Sequence, residues 1–530
     1  MIPNKLNLCI LFCSLQIIIL TLYGTCVEFV SDFRHHCKSF LPRHCEDHQD
    51  TLPPSSQYNF HYAFLGIGSM YCFFTDHSLA SVLMVFLAGA FAMEWGFLNQ
   101  GFFYQCFRAI GEADTDTERF HNILVNKDTF RQVACTPAVA VLISYGAVLG
   151  RVNVPQLLIM VFFECIFFSF SYGLNFSKKV FNITDIGGTI SIHSFAGWFA
   201  FGCALLFNRN REPLKANSNS IPAAITLLGS FWAWEELTDV SSNIFQEGPG
   251  VKGRFATNAD LGIIGSILGT TLTSLIMNHG RMKVKQILYS IIVGYITVSG
   301  AAGFIVHIPV PFVLGLVGGI VITLLYIKLS RYCPKACKYY DTVGVFYWHG
   351  VSGLFGAIIQ CIFISIMTGK HWEENNDNKA HEDIPQLIGY KNKEGVFKNH
   401  RGVGKQAGFN FLAELVTIII AFLGGLFTAL IMDLQCFGSV DKEISNEEYF
   451  CDADDEENII AVRSESQGVT SNPERNNQIN SQVNQMGNNV NDMNNLNGNY
   501  GMQQGNMQMN MQMQGGNMGG NMQMQQQGFN

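Results

Sequence analysis

The chain has 530 residues, 48% hydrophobic and only 14% charged, with a formal net charge of −8. A soluble protein carries nearer a quarter charged residues, so the composition excludes an ordinary soluble domain and points to a bilayer. The negative balance is spread over loops and tail and offers no surface for nucleic acid.

Apolar stretches long enough to cross a bilayer recur at 7–29, 58–75, 79–103, 132–150, 155–174, 187–207, 221–242, 259–278, 284–304, 308–328, 341–368 and 408–435. They predict an all-α integral membrane protein of about twelve transmembrane helices. The first stretch has no clear small-residue cleavage site after it, which favours a retained helix over a cleaved signal peptide. Three short loops on one side of a twelve-span chain carry Arg209, Arg211 and Lys215, then Arg281, Lys283 and Lys285, then Lys328, Arg331, Lys335 and Lys338. The opposing loops hold Lys178, Lys179, Lys252 and Arg254. The positive-inside rule makes the first side cytoplasmic and places both termini there. The plasma membrane is the default location, because the C-terminus carries no evident retention signal.

Four regions follow: a first helix and outside loop over 1–57, a membrane domain over 58–436, an acidic cytoplasmic segment over 437–466, and a tail over 467–530. The tail is Asn, Gln, Met and Gly with almost no branched apolar residues. It cannot bury enough surface to offset its ordering entropy and is expected to be disordered. Most of the fifteen cysteines lie in spans, where a thiol behaves as a small apolar group. Cys37 and Cys45 can pair in the first outside loop, with Cys26 as an alternative, whereas Cys333 and Cys337 would be cytoplasmic and reduced. No metal site or cofactor motif is expected.

One spacing occurs twice. Asp185 stands eight residues before His193, and Asp341 eight before His349. Eight helical residues climb about 12 Å, so an acid at each helix start carries each imidazole toward mid-depth. Ionisable groups there are costly and read as functional. His193 lies in the sixth span and His349 in the eleventh, an odd offset that makes the two helices run in opposite directions. That predicts two inverted halves, spans two to six and seven to eleven, meeting at a central site. Gly197, Gly202, Gly350, Gly353 and Gly356 follow the histidines and permit close helix approach. Two neutral imidazoles at contact can share a proton, which suits a small neutral molecule that forms hydrogen bonds. Each Asp also suits a helix cap. Glu94, Glu164, Glu235 and Glu236 lie in or near spans, where acids face the interior or a partner.

DIGGTISIHSFAGWFAFG and VGVFYWHGVSGLFGAI resemble the two histidine motifs of the Rh glycoprotein branch of the ammonium transporter superfamily. YGAVLGRVNVPQLLIM resembles the family's third-to-fourth core helix connection, and AMEWGFLNQGFF and GYITVSGAAGFIVHIPVPFVLGLVGGI add further matches over 58–435. The resemblance implies an eleven-helix core with an inverted 5+5 repeat and an extra N-terminal helix. It further implies a homotrimer in the lipid bilayer, one pore per subunit, conducting ammonia taken from ammonium; apart from the resemblance, methylammonium and carbon dioxide are further candidate permeants. His193 and His349 carry over as the pore histidines and Asp185 as the acid near the outer mouth, with Asp341 its cytoplasmic-side counterpart. The family's two outer-gate Phe positions fall, without gaps, at Thr136 and Val240; Phe130 or Phe231 substitute if the register slips. An acid late in the preceding helix is replaced by Tyr172. Asn175 and Asn182 fit the N-x-S/T glycosylation pattern on the outer side. The rivals are a carbon dioxide or small-gas pore, and a non-transporting ammonium sensor or scaffold with the tail as its interaction module. No nucleophile–base arrangement suggests an enzyme.

Overall fold

The computed structural model describes residues 5–29, 60–71, 78–111, 123–125, 127–177, 180–207, 225–231, 233–234, 237, 249–337, 340–366 and 403–437. In chain order its helices are α1 (Lys5–Cys26), α2 (Phe60–Met70), α3 (Ser78–Gly111), α4 (Lys127–Tyr145), α5 (Val154–Phe176) and α6 (Phe195–Phe207). There follow α7 (Pro249–Met277), α8 (Val284–Ala302), α9 (Pro309–Cys337), α10 (Ser352–Ile366) and α11 (Val403–Met432). Residues 225–231 are also helical. Every apolar stretch read from the sequence overlaps one of these segments. Eight among the described residues are long and apolar enough to cross a membrane. The departure from all-α is small: β1 (Val27–Phe29) pairs in parallel with β2 (Ile123–Val125).

The helices are inside-out relative to a soluble protein. On α11 the exposed row is Leu412, Leu415, Ile419, Leu423, Phe427 and Leu430, a stripe at helical spacing. Its buried face holds Gln406, Asn410, Glu414 and Thr417. Water would reverse that arrangement; lipid permits it, because polar groups must find partners within the protein. The side chains duly do so: Gln406 donates to the Asn182 carbonyl at 3.0 Å and Asn410 to the Thr184 carbonyl at 2.8 Å. The molecule is an integral membrane protein.

Its two halves repeat. Helix α3 packs on α4 and α5, and α7 packs on α8 and α9. The leading helices of the halves meet at glycines. A Cβ placed on Gly66 would lie 3.1 Å from the Ala233 nitrogen, and one on Gly229 would lie 2.9 Å from the Met70 nitrogen. Each glycine therefore faces the residue four positions beyond the other glycine. As one segment advances from 66 to 70, the contact on the other retreats from 233 to 229, so the two run in opposite directions. The inversion expected from the odd span offset is thus present in the packing.

Candidate functional site: two histidines at a helix crossing

The same local device starts both central segments: Asp185, Gly188 and His193 in one, Asp341, Gly344 and His349 in the other, at identical spacing. Gly188 and Gly344 have φ of 65° and 91°, the left-handed region that a side chain disfavours. Each turn is then locked by its acid. Asp185 Oδ2 accepts from the backbone N–H groups of Ile190 (3.1 Å) and Ser191 (2.8 Å) and from the Ser191 hydroxyl (2.9 Å). Asp341 accepts from the N–H groups of Gly344 at 2.7 Å and Phe346 at 2.8 Å. Both acids therefore satisfy helix-start donors.

Single π-helical segments, Thr189–Ser194 and Phe346–Val351, then carry the histidines into α6 and α10. Such segments change the direction a side chain takes from the helix and recur at functional sites. Here they bring the two rings together. His193 Nδ1 lies 3.1 Å from His349 Nδ1, with ring centroids 5.3 Å apart and an interplanar angle of 27°. Both histidines are buried. Tyr295 of α8 stands edge-on to His193 at 5.6 Å and donates its hydroxyl to the Gly187 carbonyl at 3.0 Å.

Glycine sets the approach. A Cβ on Gly197 would stand 2.0 Å from the Gly350 nitrogen, and one on Gly353 would stand 2.8 Å from the Ser194 Cα. The contact retreats on one segment as it advances on the other, from Ser194–Gly353 to Gly197–Gly350. This is the same reversed register seen at Gly66 and Gly229. The histidine pair therefore sits at the crossing of two antiparallel, equivalent segments.

The other candidates read from the sequence are dispersed around this crossing. Thr136 is buried and its hydroxyl accepts from Gln100 Nε2 at 2.7 Å, so that side chain is tied to α3. Asn175 is 1% exposed and its amide donates to Thr417 at 3.0 Å, a placement that leaves no room for a glycan without breaking the contact. Asn182 is half-buried with φ of 45°. Tyr172 stacks on Phe168 and lies tilted against Phe176. Glu94 accepts from Gln16 of α1 at 3.0 Å, which is a helix-pairing contact. Val240, Cys37, Cys45, Glu235, Glu236, the acidic segment 452–458 and the tail lie outside the described residues.

Burial pushes the Asp185 carboxyl up to about 6, while its hydrogen bonds from Ser191 and Ile190 pull it down. Sequence reasoning passed over Glu414, which is fully buried on α11 and accepts from the Ser194 hydroxyl at 2.6 Å. Its signal was available: a lone acid in LAELVTIIIAF, one turn from Asn410 and Thr417.

Inverted helical halves, lipid-compatible outer faces and a polar pair at the central crossing define a membrane transport protein of the channel type. Residues 130–454 match the Ammonium Transporter Family, to which the chain belongs. It is 27% identical over 428 residues to "Ammonium transporter Rh type C" of Gasterosteus aculeatus, covering 80% of this chain and 82% of that one. To "Ammonium transporter Rh type B" of Takifugu rubripes it is 27% identical, covering 82% and 90%. Among solved structures it resembles Nitrosomonas europaea Rh50, with a TM-score of 0.56 and 19% identity over 78% of this chain and 96% of that one. Candida albicans Mep2 is similar in fold, with a TM-score of 0.56, 15% identity, and 72% and 85% covered.

Proposed function

We propose that the chain is an Rh-type channel that passes ammonia, formed from ammonium at its mouth, between His193 and His349. The observation that carries this reading is the 3.1 Å contact between the two Nδ1 atoms. A neutral imidazole has one donor nitrogen and one acceptor nitrogen. If one Nδ1 donates to the other, the donor ring presents an acceptor Nε2, and the second ring presents a donor Nε2–H. The pair therefore offers one group of each kind to a permeant that both donates and accepts. Ammonia does both, whereas carbon dioxide accepts and has no hydrogen to give. Moving the shared hydrogen from one Nδ1 to the other, with exchange at both Nε2 atoms, reverses the polarity of the pair and gives a route for a proton.

Asp185 and Asp341 hold the turns that aim the rings, and Asp185 in addition favours a cation at the outer mouth. Thr136 and Val240 stand in the sequence where the family pattern has its two outer-gate Phe residues, and neither is aromatic. Asn182, the more accessible of the two sequons, is the glycosylation position favoured here. The reading extends to a homotrimer in the plasma membrane with cytoplasmic termini, supported by the exposed apolar rows and by the basic residues at 281–285 and 328–338. The channel domain spans 58–436, flanked by the first helix and by the acidic and Asn/Gln-rich segments.

The test is flux into proteoliposomes carrying an internal pH dye, with carbon dioxide challenged separately. Wild-type protein is expected to speed alkalinisation under an ammonium gradient, and His193→Ala and His349→Ala to change that flux while carbon dioxide entry stays level. No flux through well-folded wild-type protein would overturn the channel reading and favour a sensor or scaffold.

A further inference from the structure

The two acid-led turns are fastened by different kinds of donor. Around Asp185 the donors to backbone carbonyls are neutral among the described residues: Thr184 accepts from the Gln360 and Asn410 amides, and Gly187 from the Tyr295 hydroxyl. In the Asp341 turn the Val343 carbonyl accepts from Trp348 Nε1 at 3.2 Å, again a neutral group. The Thr342 carbonyl, next to Asp341, is served by a cation instead. It accepts from Lys285 Nζ at 3.2 Å, and the same ammonium group stands 5.9 Å from the centre of the Tyr326 ring.

Holding the turn does not call for that charge. A side-chain amide can donate to a carbonyl just as well. Thr342 is already fixed by its N–H on the Ala147 carbonyl at 3.2 Å and by its hydroxyl on the Leu149 carbonyl at 3.4 Å. Lys285 also lies in the first turn of α8, where the positive end of the helix dipole disfavours a cation. Arg281 and Lys283, just before it, are exposed, so water and salt screen them. Lys285 is half-buried, and its field is screened less.

We infer that Lys285 is a specificity-determining residue: its tethered alkylammonium holds one cation beside Asp341 and repels a second, so ammonium is held less tightly at the Asp341 mouth than at the Asp185 mouth. This role rests on the channel reading above. Two unit charges about 10 Å apart near a protein surface repel enough to change occupancy roughly three- to tenfold. A passive pore with one permeant must show the same ratio of maximal rate to KM from both faces, because equal concentrations give no net flow. The weaker mouth therefore has the higher KM and, in proportion, the higher maximal rate.

The experiment compares right-side-out and inside-out vesicles carrying the full-length chain, at equal pH and without a membrane voltage. Initial rates of ammonium-driven pH change are followed with an enclosed dye, and the rate of vesicles lacking the chain is subtracted. Wild type should give the higher KM from the Asp341 face, which is cytoplasmic in the orientation proposed above. Lys285→Gln should lower that KM and its maximal rate together, about three- to tenfold, and leave the other face unchanged. Lys285→Arg should keep the wild-type values. A merely loosened turn would lower the maximal rate from both faces with no fall in KM. That result overturns the inference, and so do equal wild-type KM values at the two faces. If Lys285→Gln does not fold, Lys285→Met keeps an apolar stem without the charge and is held to the same outcomes. Absence of flux in folded wild-type protein overturns the channel reading and this inference with it, whereas flux with equal KM values overturns this inference alone.

Discussion

Gly197→Ala tests the crossing most sharply. The added Cβ would stand 2.0 Å from the Gly350 nitrogen and 2.3 Å from its Cα, and neither is the movable end of a side chain. Ordinary contact begins near 3.4 Å, so the two segments must part by 3.4 − 2.0, or 1.4 Å, along that line. Carried to the rings, the same displacement takes the Nδ1 pair from 3.1 Å to a separation of about 4.5 Å, beyond any hydrogen bond. Overpacking of this kind costs about 1–3 kcal/mol in stability. The lost ring contact removes a further ~0.5–1.5 kcal/mol, roughly two- to tenfold in any step that depends on it. The assay is stopped-flow ammonia entry into proteoliposomes at matched protein content, with a thermal melt in detergent. Gly350→Ala is the internal control, since its Cβ would meet nothing closer than 3.1 Å. Its flux should lie near wild type, Gly353→Ala between, and Gly197→Ala lowest. Wild-type flux in folded Gly197→Ala protein would refute the claim that backbone proximity sets the histidine contact.

Two further outcomes follow from particular contacts. Asp185 has its folded-state value raised to about 6 from 3.8, so the folded chain holds this proton more tightly than the unfolded chain. That contribution is fully present below the unfolded value and is lost as pH rises through 6. Across that window it amounts to roughly 3 kcal/mol. Melting temperatures measured at pH values on either side of the window should therefore fall more steeply for wild type than for Asp185→Asn; equal slopes would contradict the burial argument. Gln16→Leu strips the hydrogen bond that ties α1 to Glu94 and leaves a part-buried carboxyl without that donor, at a cost of about 1–3 kcal/mol. A detergent melt unchanged within error would mean that packing and the Tyr23 hydroxyl on the Glu94 carbonyl hold α1 without this bond.

What the sequence disclosed was whatever periodicity and repetition encode. The twelve spans were visible because hydrocarbon demands long apolar runs. The twin Asp–His spacing was visible because an inverted repeat writes its functional element twice. The close approach was visible in part, since Gly197, Gly350 and Gly353 stand beside the histidines. What could not be read was anything contributed by an element outside the repeat. Glu414 lies 221 positions after His193 in the chain, 414 − 193, and no local pattern announces that its helix would return to the first histidine segment. Asn175 illustrates the converse: a three-residue sequon says nothing of burial, and Thr417 occupies its amide. The π-helical turns were equally hidden, because the phase shift of an extra residue does not show where the helix that follows is almost wholly apolar.

The reversed register at Gly66–Gly229 and again at Gly197–Gly350 has a thermodynamic reading. A molecule arriving from either face meets the same sequence of acid, left-handed glycine, π turn and imidazole, encountered once forwards and once in mirror order. Such a core supplies no ratchet. Whichever compartment holds more of the permeant decides which way it runs, and any bias between the two directions has to come from what the repeat does not duplicate. On the described residues, that includes the Ser194 hydroxyl on Glu414, the Ser191 hydroxyl on Asp185 and the Tyr295 ring against His193.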